Sequence, residues 1–140
     1  MGQLIPFELS TIIKLGFDLK RDMELIRELL LFFDERDSSA GIKSPPINGY
    51  DDLMIQYHLV LMHDAELLRC EPSTSSSSGR VIYVLAFELT WKGHDFLDSI
   101  RNDTIWKKVK DTFHDKGVGM AFSVVQGLAV KFAQSQVGLN

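Results

Sequence analysis

The chain has 140 residues, of which 45% are hydrophobic and 24% are charged, the balance of an ordinary globular domain. Fifteen Lys and Arg against nineteen Asp and Glu give a net charge of −4, which argues against a general polyanion-binding protein. Cys70 is the only cysteine, so an intrachain disulfide is excluded. No apolar run approaches the roughly 18 residues that span a membrane, and the N-terminus lacks the basic start of a secretory signal. A cytoplasmic protein is therefore expected.

The N-terminal part of the chain divides into an apolar leader and a strongly periodic segment. Residues 1–19 are predicted to be an extension that can be deleted, and residues 20–140 to form the domain. Asp18 is expected to cap a helix over Leu19–Arg36. Apolar residues recur in this segment at helical spacing, namely Met23, Ile26, Leu30 and Phe33.

The middle of the chain is predicted to contain a loop, a helix and a hairpin. Asp37–Gly49 contains breakers and is predicted to be a loop, with Ile47 as a candidate one- or two-residue strand. Asp51 and Asp52 open a second helix that runs to about Glu66. Two extended segments, Leu67–Glu71 and Val81–Leu89, flank the polar stretch Pro72–Gly79, which is expected to be a projecting, mobile tip.

Three more helices are predicted after the hairpin. Thr90 is expected to cap Trp91–Arg101, and Asp103 to cap Thr104–Lys116, which Gly117 and Gly119 end. The spacing of Ser123 and Gln126 predicts a capping box for the last helix. The apolar face of this helix is expected to fold onto the first helix or to pair with a second copy in a homodimer.

This order of elements predicts a mainly α fold with a small β-hairpin, a winged-helix-like domain with additional C-terminal helices. Four blocks of the chain also resemble a family of uncharacterised bacterial and phage proteins, domain of unknown function 2513. These blocks are Lys20–Arg27, Gly49-Tyr50 with Tyr57-His58-Leu59, Leu89–Asp98 and Asn102–Lys110. The resemblance extends to about Gly138 and implies a winged-helix-like domain with no established activity. Members tend to have a glycine at the end of the second helix, where this chain has Glu66 and so lacks the residue that favours a left-handed turn.

The second helix is the candidate DNA reader, because a recognition helix enters the major groove. Gln56 could pair with adenine, and Tyr57 or His58 could touch phosphate. The other candidate nucleic-acid contacts are Arg80 at the hairpin tip and the basic cluster Lys107, Lys108 and Lys110. Two features oppose this interpretation: Asp51 and Asp52 lie at the entering end, and no Lys or Arg occurs between Lys43 and Arg69. In the alternative interpretation, these side chains pack within the domain or form a solvated surface.

No pattern in the chain predicts catalysis, a metal or a cofactor. The four histidines, His58, His63, His94 and His114, lack the spacing of a zinc site with Cys70. Nucleotide-binding glycine loops and a serine nucleophile elbow are absent from the sequence.

Two non-enzymatic hypotheses remain open. One is a DNA-binding transcriptional regulator of phage or mobile-element type, with double-stranded DNA as its partner. The other is a protein–protein interaction module on the same scaffold without DNA binding. No membrane or small-molecule partner is indicated.

Overall fold

The computed structural model describes residues 19–117 and 119–138, and it has a mainly α architecture with one β-hairpin. This confirms the predicted mainly α fold with a small β-hairpin. The leader and its expected helix cap, Asp18, lie outside the described residues. In chain order the elements are α1 (Met23–Glu35), α2 (Asp52–Asp64), β1 (Leu68–Thr74), β2 (Val81–Leu89), α3 (Trp91–Ile100), α4 (Asp103–Lys116) and α5 (Phe122–Gln136).

Helix α1 is the centre of the core, and it begins four residues later than predicted. Its cap is Asp22, whose carboxylate accepts the backbone N–H groups of Glu24 and Leu25. The prediction that the helix starts at Leu19 is therefore wrong, because Asp22 satisfies the free N–H groups of the first turn and so fixes the start. Leu25 and Leu29 lie beside the predicted apolar stripe and are fully buried, so α1 is covered on more than one face.

A left-handed turn connects α2 to β1, and it ends α2 at Asp64 rather than at Glu66. Glu66 has φ of 64°, the only positive φ of a non-glycine residue among those described. Its N–H donates to the carbonyl of His63, and the next N–H, of Leu67, donates to the carbonyl of Met62. These two bonds form a Schellman motif with Glu66 at the left-handed position. The left-handed turn is thus present, although this chain has Glu66 where related proteins tend to have glycine.

The hairpin is longer and its tip shorter than predicted. Strand β1 pairs with β2 in antiparallel register from Leu68 opposite Leu89 to Thr74 opposite Val81, with two irregularities. Pro72–Thr74 therefore belong to the strand, and the tip is a hydrogen-bonded turn closed by the N–H of Ser75 donating to the carbonyl of Arg80 at 2.8 Å. On the edge of β2 away from β1, Ile42 forms an isolated antiparallel bridge with Ala86. The prediction that Ile47 forms this short strand is therefore wrong.

The caps of the last three helices agree with the sequence in part. Thr90 caps α3 as predicted, accepting the N–H of Gly93. Asn102 rather than Asp103 caps α4, and Gly117 ends α4 in the predicted left-handed conformation. The capping box predicted for α5 is wrong, because the cap position is Ala121 and has no side-chain hydrogen bond.

The C-terminal helices complete the core, with α3 packed on α1. Helix α5 packs on α3 and α4 rather than on α1, and it buries Val125 and Ala129. The buried guanidinium of Arg27 in α1 donates to the carbonyls of Ile100 and Arg101 and to the carboxylate of Asp103. This side chain therefore fixes α1 to the junction of α3 and α4. Within residues 19–117 and 119–138 no helix is long and apolar enough to cross a membrane.

Candidate functional site

Helix α2, the candidate DNA reader, lies beside the hairpin with one face buried and the other in solvent. Its buried residues are Ile55, His58, Leu59 and Met62. Its cap is Asp51, which accepts the N–H of Met54. The connection from α1, residues 36–51, contains turns and the Ile42 bridge but no helix. Helix α1 is therefore not joined to α2 by the short turn of a helix-turn-helix motif.

The amide of Gln56 is fully used inside the protein. Its Nε2 donates to the carbonyl of Val84 at 3.0 Å and to the carbonyl of Lys43, and its Oε1 accepts the N–H of Val84 at 3.2 Å. The side chain thus pairs with the free edge of β2 as a neighbouring strand would. In this arrangement Gln56 fixes α2 to the sheet, and its amide is not presented to a base.

The ring of His58 is fully buried and has a protein partner on each nitrogen. The N–H of Asp22 donates to Nε2 at 2.7 Å, so Nδ1 carries the hydrogen and donates to the carbonyl of Met54 at 2.8 Å. Burial holds the pKa of His58 below its ordinary value. His58 is therefore a neutral core residue packed against the start of α1, the alternative considered for it from the sequence.

Tyr57 and Arg80 line a groove between α2 and β2, which we call the α2–β2 groove. The groove has a volume of about 440 Å³. Its other lining residues are Leu19, Leu53, Gln56, Val60, Leu61, Asp64, Val81 and Ile82. Leu53 is 50% exposed and Ile82 is 58% exposed, on opposite walls. The surface where a DNA reader was predicted is thus largely apolar.

The predicted basic cluster lies on α4, and two of its three lysines are paired with carboxylates. Lys107 Nζ lies 2.8 Å from Asp111, and Lys110 Nζ lies 2.9 Å from Glu24 of α1. The ammonium of Lys108 is 5.9 Å from the centre of the Phe132 ring. The structure therefore does not bring these lysines to the α2–β2 groove, and their charges are partly neutralised locally.

A polar network around Asp22 was missed by the sequence analysis. The hydroxyl of Tyr50 donates to the carboxylate of Asp22 at 2.9 Å, while the N–H of the same Asp22 donates to His58. Burial and this carboxylate raise the pKa of Tyr50 to about 12. Two residues after Asp22, Glu24 accepts the indole N–H of Trp106 at 3.0 Å. The sequence did mark these residues, because all of them lie in the blocks that carry the family resemblance.

The structure also brings together a cysteine and a histidine. Cys70 Sγ lies 3.3 Å from Nδ1 of His63, because the left-handed turn directs β1 back along α2. Burial raises the pKa of the thiol. Across the described part of the chain, no group of three or more His, Cys, Asp or Glu side chains could hold a metal ion. The pair provides two of the three or four ligands that a zinc site needs.

The fold defines a small mainly α protein with a hairpin beside helix α2, and similarity to known sequences identifies its family. The chain belongs to the family described as hypothetical protein (DUF2513), whose sequence model matches residues 20–119. It is similar to an uncharacterized protein of Haemophilus influenzae, with 32% identity over 112 residues that cover 79% of this chain and 92% of the relative. No solved structure matches the chain.

Proposed function

We propose that this chain is a non-enzymatic protein-interaction module on a winged-helix-like scaffold, and that it binds its partner through the α2–β2 groove. The observation that carries the proposal is the half-exposed apolar pair Leu53 and Ile82 on facing walls of that groove. Contiguous apolar surface on a protein of this size is typical of an interaction site. Burying such residues against a partner stabilises a complex by roughly 25 cal/mol per Å² of apolar surface before the costs of association.

The charge around α2 supports a protein partner over DNA. No Lys or Arg occurs between Lys43 and Arg69, and the exposed carboxylates of Asp51 and Asp52 stand at the N-terminal end of the helix. In a recognition helix this end enters the major groove, where the flanking phosphates would repel both carboxylates. The amide of Gln56, the best candidate for contact with a base, is occupied by Val84.

A DNA-binding regulator is the second candidate, and Arg80 is the observation that favours it. This side chain is exposed where the hairpin tip meets the groove, the position from which a wing would contact the DNA backbone. Arg80 is the one basic residue that lines the groove, so this surface would supply one phosphate contact. One such contact gives weak binding with a salt slope of about one, far below that of a specific DNA-binding protein.

A titration of the full chain against duplex DNA in low salt, followed by fluorescence anisotropy, separates the two candidates. We expect no saturable binding even at low ionic strength. Tight binding with a steep loss of affinity as salt increases would contradict the interaction-module proposal, because it requires several phosphate contacts. The variant Arg80→Ala then reports whether the hairpin tip contributes to any residual affinity.

Site-specific photo-crosslinking tests the groove directly. A photoreactive phenylalanine analogue replaces Leu53 in the groove, and in a control protein it replaces Val130 of α5, which is comparably exposed at 41%. We expect one defined crosslinked protein from position 53 in cells that express the chain naturally, and its loss when Ile82→Ser is added. Equal crosslinking from both positions, or none from position 53, would refute the proposal.

A further inference from the structure

The α2–β2 groove also indicates what kind of protein segment it accepts. We propose that the partner presents an amphipathic helix whose apolar stripe lies in the groove and whose ends are basic. This inference rests on the proposed function, and it adds the secondary structure and the charge of the bound segment. Three features of the groove carry it: the closed edge of β2, the spacing of the apolar residues on α2, and the charge at the ends of α2.

An added β-strand is disfavoured at this groove, because beyond Ile82, which lines it, the outer edge of β2 is already paired. The N–H and C=O of Val84 are both paired with Gln56, and those of Ala86 are both paired with Ile42. An extended peptide binds a sheet edge through such main-chain groups, and here they are occupied. Of the common modes of peptide recognition, a helix in a groove needs no free main-chain groups.

The apolar residues of α2 that line the groove have the spacing of a helix-binding surface. Leu53, Tyr57, Val60 and Leu61 follow one another at i, i+4, i+7 and i+8. At a rise of about 1.5 Å per residue, this stripe is about 12 Å long, which matches two turns of a partner helix. Ile82 on the hairpin provides the opposite wall. The groove can therefore take anchor residues spaced i, i+3 or i+4, and i+7.

The charge at the ends of α2 selects a basic partner. Asp51 and Asp52 stand at one end of the stripe and Asp64 and Glu66 at the other, all exposed, while Arg80 is the one basic residue that lines the groove. Complementary charge directs the encounter and fixes the orientation of a bound helix. Lys or Arg residues at both ends of the partner helix would face carboxylates, and an acidic helix would be repelled.

Two synthetic peptides test the proposal against the full chain. Both carry the same leucine stripe and a hydrocarbon staple that keeps them helical, one with lysines and the other with glutamates at its ends. Binding is followed by fluorescence anisotropy. We expect saturable binding of the lysine peptide, at least about tenfold tighter than that of the glutamate peptide. We also expect the difference to shrink at about 1 M salt, where the screening length falls to about 3 Å.

Matched variants locate the binding site. Leu53→Ser removes a half-exposed apolar side chain from the groove without changing charge, and we expect it to weaken binding by about fivefold. Val130→Ser removes a comparably exposed side chain from α5, 41% exposed and outside the grooves of the surface, and should leave affinity unchanged. Because both positions are exposed, both variants should remain folded by circular dichroism. If the two substitutions weaken binding equally, the peptide does not occupy the groove and the inference fails.

The outcomes distinguish the inference from the proposed function beneath it. If both peptides bind equally and Leu53→Ser weakens both, the groove binds protein but the charge assignment is wrong. If an extended peptide with the same leucines but no helix competes as well as the stapled one, the helical assignment is wrong. If no peptide binds and no photo-crosslink forms at position 53, both the inference and the proposed function fail.

Discussion

The left-handed turn at Glu66 gives a stability prediction that can be worked out from the structure. With φ of 64°, Glu66 has a backbone conformation that costs a side chain with Cβ about 1–2 kcal/mol, whereas glycine adopts it freely. Glycine is also more flexible in the unfolded chain, which offsets about 0.4–1 kcal/mol of that gain. Removing a negative charge from the C-terminal end of α2 adds a few tenths of a kcal/mol. Glu66→Gly should therefore stabilise the protein by about 1 kcal/mol.

Thermal and urea unfolding of three variants at position 66 test this reasoning. Glu66→Gly should raise Tm by about 4 °C and the urea midpoint without changing the slope. Glu66→Gln removes only the charge and should gain a few tenths of a kcal/mol. Glu66→Asn should fall between them, because asparagine tolerates positive φ. If the glycine variant is no more stable than the glutamine variant, the turn is not strained and the reasoning is refuted.

Further predictions concern the groups that fix α2 and α3. Because burial lowers the pKa of His58, the unfolded chain binds a proton there first, so stability should fall as the pH drops from about 6.5 through the lower folded-state pKa. His58→Gln should remove this slope in urea unfolding, and an unchanged slope would contradict the assignment. Gln56→Leu leaves the N–H and C=O of the buried Val84 unpaired and should cost about 1–3 kcal/mol in urea unfolding; a neutral effect would show that the edge finds other partners. Gly93→Ala would place Cβ 2.3 Å from a backbone carbonyl oxygen and should destabilise by at least about 1–3 kcal/mol. Gly127→Ala, with open space around it, should instead stabilise α5 by about 0.5–1 kcal/mol in the same measurement, and the opposite order would contradict this account.

The sequence predicts the helices and strands better than it predicts where each begins. Both Asp18 and Asp22 are good caps, and the choice between them depends on tertiary contacts, since Asp22 also bonds Tyr50 and His58. The same holds at α4, where Asn102 is the cap and the adjacent Asp103 instead pairs with Arg27. Local propensity offers two nearby cap residues in such cases, and a distant partner selects one.

In the candidate site, too, tertiary contacts that the sequence does not reveal decide the role of each residue. Gln56 and His58 are polar residues on a helix, and from sequence alone they suit recognition of a base or a phosphate. In the folded chain, each pairs with a main-chain group more than 25 residues away, which no local pattern reveals. Leu53, half-exposed in the groove, carries no polar signal and was not a candidate.

The polar and apolar residues of α2 therefore have roles opposite to those expected of a DNA reader. Gln56 attaches the helix to β2, and His58 attaches it to the start of α1, so the orientation of α2 is fixed by buried hydrogen bonds. Once these side chains are satisfied internally, what remains outside is the apolar stripe from Leu53 to Leu61 between acidic ends. A rigid helix that presents apolar side chains loses little side-chain entropy on binding, which favours association with another protein. The net charge of −4 points in the same direction, because at this surface its carboxylates would repel phosphate and attract a basic segment.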